Sequence, residues 1–173
     1  MKGSIVQCIG ELVVSNFGKE KWEQSLEAAG LNKATMILPI SDVDDAVVAK
    51  VVQALCNNLG LSLHQVADAF GDYWVNVYSQ KLYGHFYKTN KTARDLLLDV
   101  DAIHLKMTQT MKNAKPPRFE YEWMDDKTLI IHYRSHRGLI DFVAGLAKGV
   151  GKYYHEQLSV KVLDPERVEV KFA

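Results

Sequence analysis

The sequence predicts an α+β fold in which helices come first and a four-stranded antiparallel sheet comes last. Apolar residues recur every three to four positions over roughly the first hundred residues, which is the period of amphipathic helices. After the proline pair Pro116-Pro117, apolar and polar residues alternate, as they do in half-buried strands. Because helices and strands are segregated along the chain, we expect an α+β fold rather than a parallel α/β fold.

Glycines and capping-box pairs indicate where the helices begin and end. The first two helices are predicted over residues 4–17 and through Trp22 and Leu26, ending near Gly18 and Gly30. Three later helices should begin at capping boxes, which are Ser41 with Asp44, Ser62 with Gln65, and Thr92 with Asp95. These boxes open helices with apolar faces over 47–55, 66–77 and 93 to about 112. Residues 82–87 are predicted to be a looser segment between the last two.

Two hairpins flanking one helix account for the rest of the chain. Residues 118–123 and 128–135 alternate in polarity around a turn at Asp125-Asp126, which predicts the first hairpin. An amphipathic helix follows over about 139–155. Residues 158–163 and 168–172 alternate again around Asp164-Pro165, which predicts the second hairpin.

The composition fits one globular domain or two tightly joined subdomains, which we expect in the cytoplasm. The chain has 173 residues with a formal net charge of zero, which disfavours nucleic acid as a partner. Its longest apolar runs are too short to span a membrane, and its start has no signal-peptide pattern. Cys8 and Cys56 lack the spacing of a disulfide framework or a zinc site, so each is expected to be a small buried hydrophobe.

One histidine lies in the apolar stripe of the long helix. The stripe consists of Leu96, Val100, His104, Met107 and Met111. A buried imidazole needs a partner, and two interpretations remain open from the spacing alone. His104 is either a core histidine bonded to a backbone carbonyl or the axial ligand of a haem iron in apolar surroundings. No second His, Glu or Asp at ligand spacing indicates a bare-metal site.

Polar residues at two-residue spacing extend the buried face of strand 128–135. Tyr133, Ser135 and Arg137 follow Leu129 and Ile131 on that face. The residues aimed the other way are His132, Arg134 and His136. The row can be a strand running out into solvent, with Arg137 in a rim salt bridge. Alternatively, its guanidinium and two hydroxyls form a carboxylate clamp, which together with His104 would suit the apolar ring and two propionates of haem.

These residues together resemble those of the H-NOX domains, the haem-nitric oxide/oxygen binding family related to the haem domain of soluble guanylate cyclase. The resemblance rests on His104, Pro116-Pro117, the Tyr133-x-Ser135-x-Arg137 triplet, Met1-Lys2-Gly3 and Ala69-Phe70-Gly71, and it covers essentially the whole chain. It implies a single domain, 1–173, in which a helical distal subdomain of about 1–60 packs on a haem-binding subdomain of about 61–173.

The resemblance implies haem b (iron protoporphyrin IX) as the cofactor and His104 as its proximal iron ligand. The propionates would be bound by Tyr133, Ser135 and Arg137. Pro117 would press on the porphyrin and hold it out of plane, and Ile5 would pack against the ring. Nitric oxide binding to ferrous haem would then weaken or break the proximal bond and shift the helical subdomain against the haem subdomain.

The resemblance also implies which gas binds. Family members that hold oxygen stably have a tyrosine in the helix after the clamp strand, and the corresponding residue here is Phe142. We therefore expect a sensor that binds nitric oxide and CO and excludes oxygen. Trp74 and Tyr78 can face the same pocket and bring hydrogen-bond donors, or they can simply pack in the core. Leu146 is also expected to contact the cofactor.

The chain has no kinase, cyclase or methyl-accepting region, so we expect output through a separate protein. In bacteria the resemblance suggests a histidine kinase or a cyclic-di-GMP enzyme. Two alternatives are an oxygen-binding haem sensor and a non-haem adaptor for an apolar carboxylate ligand. An enzyme is not expected, because no Ser or Cys nucleophile has a plausible base and residues 145–152 lack the register of a phosphate loop.

Overall fold

A computed structural model describes residues 1–173 and contains seven α-helices and four strands. The helices are α1 (Gly3–Phe17), α2 (Lys19–Ala28), α3 (Asp45–Leu59), α4 (Leu63–Tyr73), α5 (Ser79–Thr89), α6 (Ala93–Thr110) and α7 (Ile140–Tyr153). The strands are β1 (Arg118–Trp123), β2 (Thr128–Arg134), β3 (Leu158–Asp164) and β4 (Arg167–Phe172). They form one antiparallel sheet in the order β1-β2-β4-β3, which confirms the predicted fold class.

Two of the three predicted capping boxes are confirmed. Ser62 with Gln65 opens α4 and Thr92 with Asp95 opens α6. The third was wrong, because the Asp44 carboxylate itself caps α3 by accepting a 2.7 Å hydrogen bond from the amide of Ala46. The hydroxyl of Ser41 is instead committed to the carbonyl of Leu38, at 2.7 Å.

Residues 82–87 are helical, which corrects the prediction of a looser segment. A π-helical turn, Trp74–Tyr78, joins α4 to α5, and the break within α5 is confined to Tyr83, at φ −129° and ψ 15°. Two hydrogen bonds to Tyr87, one buried and one partly buried, stabilise this helix although its local sequence specifies a helix only weakly. The Tyr87 hydroxyl lies 2.6 Å from the Ser79 hydroxyl, and the Tyr154 hydroxyl donates to the Tyr87 carbonyl at 2.9 Å.

Apolar side chains form two cores that meet along α4 and α7. One core is formed by helices α1, α2, α3 and α4, and Ile9, Leu26 and Leu55 are fully buried in it. The other joins α6 and α7 to the inner face of the sheet, where Leu129, Val168 and Val170 are fully buried. Cys8 is buried in the first core as expected, whereas Cys56 is partly exposed because it lies beside the apolar stripe of α3 rather than on it.

Glycines allow α4 and α7 to approach each other closely. A Cβ on Gly71 would overlap the backbone of Gly145, and a Cβ on Gly145 would overlap the carbonyl of Ala67. Gly149 faces the carbonyl of Gly71 in the same way. The two cores are therefore joined along a line where backbone packs on backbone.

No single helix has the length and apolarity to cross a membrane. By length and composition only, one bent pair could, and that pair consists of Asp45–Leu59 and Leu63–Thr89, which meet at 107°.

Gly145→Ala is expected to lower the free energy of unfolding by about 3 kcal/mol, because the added methyl must push α4 away from α7. Gly84→Ala is a matched control: it lies in helix α5, and the nearest atom to its Cβ position is Gln80 Oε1, at 3.8 Å. That change should be neutral or stabilising by about 0.5–1 kcal/mol. Urea unfolding measures both, and equal effects of the two substitutions would contradict the close packing.

Candidate functional site

A cavity of about 330 Å³ lies between the two cores, and 25 of its 33 lining residues are hydrophobic, so it suits a largely apolar ligand. One wall comes from α6 and the start of β1, with Ile103, His104 and Phe119. The other wall comes from α1, α4 with its π-helical turn, and α7.

His104 presents one free ring nitrogen in the cavity wall. Its Nδ1 lies 2.8 Å from the carbonyl oxygen of Pro117, and because a carbonyl can only accept, Nδ1 carries the proton. Nε2 then keeps its lone pair and makes no hydrogen bond within the protein. It is not sealed in the core, because every fully buried side-chain nitrogen or oxygen has a partner, so Nε2 is accessible from the cavity. Burial lowers the pKa of His104, and the Pro117 hydrogen bond only partly offsets burial. The ring is therefore a neutral imidazole, the form that binds a metal ion.

Asp101 anchors the helix that carries His104, and sequence reasoning missed it. Its carboxylate accepts from Arg118 Nε at 2.7 Å, from Arg118 Nη2 at 2.6 Å and from the Phe119 amide at 2.8 Å. The Arg118 hydrogen bond lowers the pKa of Asp101. Its position, one turn before His104 on the same helix, was the available signal. Asp101 thus fixes α6 against β1 and the His104 ring against Pro117.

The three predicted clamp residues do not form one strand row. Strand β2 ends at Arg134, so only Tyr133 lies on the strand, while Ser135 and Arg137 follow in a turn that Gly138 closes at φ 62°. Tyr133 is buried, lines the cavity, and its hydroxyl accepts from the Leu139 amide at 3.3 Å. Arg137 lines the cavity, whereas Ser135 does not and its hydroxyl accepts from the Arg137 amide at 3.3 Å.

Arg137 is held at the cavity rim by a carboxylate from the helical half of the chain. Its Nε donates to Asp45 at 2.9 Å and its Nη1 to the Lys115 carbonyl at 2.6 Å, with only 12% of the side chain exposed. Asp45 also accepts from the Met1 ammonium at 2.8 Å. Burial raises the pKa of Asp45, but the hydrogen bonds from Met1 and Arg137 outweigh it and bring the pKa to about 2.

Most other predicted contacts line the cavity, and one does not. The lining residues include Ile5, Trp74, Pro117, Phe142 and Leu146. Tyr78 is outside it, because its hydroxyl donates to Gln7 Oε1 at 2.7 Å within the first core. Its ring still stacks on Trp74, with centroids 5.5 Å apart.

The three side chains predicted to point away from the clamp do not line the cavity and instead contact carboxylates; His132 and Arg134 lie on β2, whereas His136 follows it in the turn. His132 Nε2 lies 3.0 Å from Glu122, Arg134 bonds Glu120 and Glu166, and His136 lies 3.3 Å from Asp45.

Tyr83 lines the cavity and was missed, because its segment was predicted to be loose. It lies at the break in α5, with its ring centroid 6.3 Å from that of Trp74. Burial raises the pKa of Tyr83, so its hydroxyl remains protonated and can donate a hydrogen bond.

The donor set fits haem. A neutral imidazole with a free nitrogen suits an iron ligand, the apolar walls suit a porphyrin, and a nearly buried guanidinium at the rim suits a propionate. The chain also matches the sequence profile of the haem-NO-binding family over residues 2–162. It belongs to the haem-NO-binding, or H-NOX, family, whose members bind haem.

Soluble guanylate cyclases are among the relatives of this H-NOX domain. The protein gcy-32 of Caenorhabditis elegans is 27% identical over 187 residues, covering 98% of this chain and 27% of that protein. Soluble guanylate cyclase 89Db of Drosophila melanogaster is 25% identical, covering 96% of this chain and 25% of that protein. The chain thus spans about a quarter of the length of these curated relatives.

Solved H-NOX structures share the fold. A Cs H-NOX variant with 4-cyano-L-phenylalanine at site 5 superposes with a TM-score of 0.86 at 23% identity, covering 99% of this chain and 96% of that chain. An oxygen-binding H-NOX domain related to soluble guanylate cyclases superposes with a TM-score of 0.82 at 23% identity, covering 99% and 95%. At this identity the likeness shows the fold.

Asp45→Asn is expected to lower the free energy of unfolding at neutral pH and to lower it less at acid pH. The lowered pKa of Asp45 stabilises the folded state fully above its ordinary value of 3.8, and this stabilisation is lost as the pH falls toward about 2. The difference in free energy of unfolding between wild type and Asp45→Asn should therefore shrink as the pH falls from about 5 to about 3. A difference that is constant over this interval would contradict the ion pairs.

Proposed function

We propose that this H-NOX domain is a haem-based sensor of nitric oxide and CO, with haem b bound through His104. The observation that carries the proposal is the free Nε2 of a neutral His104 in the wall of an apolar cavity. When bound, haem would supply a ferrous iron that takes up the gas. The residues of the protein would bind the haem, select the gas and transmit the signal.

The wall residues would hold the ring, and the rim would hold its carboxylates. Pro117 and Ile5 line opposite walls of the cavity and would both contact the porphyrin. Tyr133 and Arg137 would donate to a propionate, and the guanidinium suits a bidentate contact. Ser135 would act from beside the cavity, because its hydroxyl accepts from the Arg137 amide and keeps its own proton to donate.

Release of His104 would transmit the signal to the rest of the domain. The ring is hydrogen-bonded to the Pro117 carbonyl, so a shift of His104 would be passed to the loop that leads into β1. Arg137, in the turn after β2, donates to the Lys115 carbonyl of that loop and to Asp45 at the start of α3. These two hydrogen bonds link the loop to the helical part. We propose that residues of about 1–60 move as the distal subdomain against about 61–173. A histidine kinase or a cyclic-di-GMP enzyme in the cytoplasm would respond to that movement, and the domain itself would not be catalytic.

Gas selectivity would follow from Phe142. Its ring packs on Phe70, with centroids 5.2 Å apart, and offers no hydroxyl to stabilise bound oxygen, whereas nitric oxide needs none. The second candidate function is an oxygen sensor. It is favoured by Trp74 and Tyr83, which bring an indole N–H and a phenol into the same cavity.

His104→Gly is expected to abolish axial ligation in protein reconstituted with haem b. The Soret band of the ferrous variant should shift, and added imidazole should restore the wild-type band by filling the vacated position. His132→Gln is the control, since His132 is bonded to Glu122 outside the cavity, and its spectrum should match wild type. A Soret band that does not respond to His104→Gly, or no uptake of haem by wild type, would favour the adaptor for an apolar carboxylate instead.

Ferrous wild-type protein exposed to air is expected to oxidise without a stable oxygen complex. Phe142→Tyr should give a longer-lived complex, because it restores a hydroxyl at that wall. Absorption spectra over time measure both. A stable wild-type oxygen complex with split visible bands would instead support the oxygen sensor. Tyr83→Phe and Trp74→Phe would then identify the donor, with Tyr78→Phe as the control because its hydroxyl is bonded to Gln7.

A further inference from the structure

The ionised side chains in the cavity wall are all positive. They are Lys2, Lys115 and Arg137, and no aspartate or glutamate lines the cavity. Lys2 and Arg137 are each paired with a carboxylate that does not line the cavity, Asp42 and Asp45, and both cations keep further N–H donors that an anionic ligand could use. Haem carries two propionates, and the guanidinium of Arg137 is suited to one of them. The remaining cations therefore raise the question of where the second carboxylate is bound.

Lys2 is better placed than Lys115 to bind it. The Lys115 side chain is exposed and has no carboxylate partner, so no ion pair holds its ammonium at the rim and solvent would screen its charge. The Lys2 side chain is only 16% exposed, and its backbone is fixed by an antiparallel bridge to Asp42. A cation shielded in this way interacts more strongly with an added carboxylate than an exposed lysine does.

Asp42 holds Lys2 and a second donor side by side. Its carboxylate accepts from Lys2 Nζ at 2.6 Å and from Asn113 Nδ2 at 2.9 Å. Asn113 is exposed to solvent but also lines the cavity, and the hydrogen bond to Asp42 holds its amide beside Lys2. An ammonium has three N–H donors and an amide has two. One donor of each group is used on Asp42, so both groups keep donors for another acceptor.

We infer that Lys2 and Asn113 form a second carboxylate site at the cavity rim, which binds the haem propionate that Arg137 does not. The inference rests on the proposed binding of haem and assigns residues to its second carboxylate. Lys2 precedes α1, and Asn113 lies between α6 and β1. A propionate bound to both would tie the start of the chain to the loop that carries Pro117.

Lys2→Met tests the site, because it removes the ammonium and keeps a side chain of similar length. Haem b should pass from the variant to excess apomyoglobin about tenfold faster than from wild type, as expected for loss of one charge-assisted hydrogen bond. With iron protoporphyrin IX dimethyl ester, whose propionates carry no charge, the two proteins should lose the cofactor at equal rates. Lys33→Met, at an exposed loop lysine, should match wild type with either cofactor.

Asp42→Asn tests whether Lys2 acts by binding the propionate or by its ion pair with Asp42, which also binds Asn113 in the loop before β1. Lys2 and Asn113 keep their free donors in this variant, so haem loss should stay within about twofold of wild type. The inference is overturned if Asp42→Asn accelerates haem loss as much as Lys2→Met, if Lys2→Met has no effect, or if its effect persists with the dimethyl ester. Failure of wild type to bind haem would overturn the proposed function instead.

Discussion

The hydrogen bond between His104 and the Pro117 carbonyl is the contact on which the proposed site depends. It fixes the proton on Nδ1 and leaves the lone pair of Nε2 free in the cavity. Burial keeps the ring neutral by lowering the pKa of His104, so this nitrogen keeps a free lone pair at neutral pH. Asp101 supports the same contact from one turn earlier in α6 by binding the residues that follow Pro117.

A second constraint is the separation of charge at the cavity rim. The cations Lys2 and Arg137 line the cavity, while their partners Asp42 and Asp45 stand outside it. Buried cations are costly without a counter-ion, and these carboxylates reduce that cost without filling the cavity with negative charge. Asp42 precedes α3 and Asp45 is its first residue, so the rim also joins the helical part of the chain to the turn after β2.

Periodicity predicted the parts of the site that lie on regular elements. His104 in an apolar stripe and Tyr133 on the buried face of a strand were both assigned from spacing, and the structure places both in the cavity wall. Ser135 and Arg137 do not continue the strand face predicted for them, because β2 ends at Arg134 and the chain turns. Asp45 and Tyr83 could not be found in this way, since one acts across 92 positions of sequence and the other depends on a local break in α5.

The most direct test of His104 as the gas-responsive ligand is the absorption spectrum of ferrous, haem-loaded protein titrated with nitric oxide, recorded beside His104→Gly. If nitric oxide displaces His104, the two proteins should differ before the gas is added and share one Soret band after it, because neither then has an axial histidine. A wild-type spectrum that stays distinct from that of His104→Gly at saturating nitric oxide would mean that His104 remains bound, and would contradict release of this ligand as the signal.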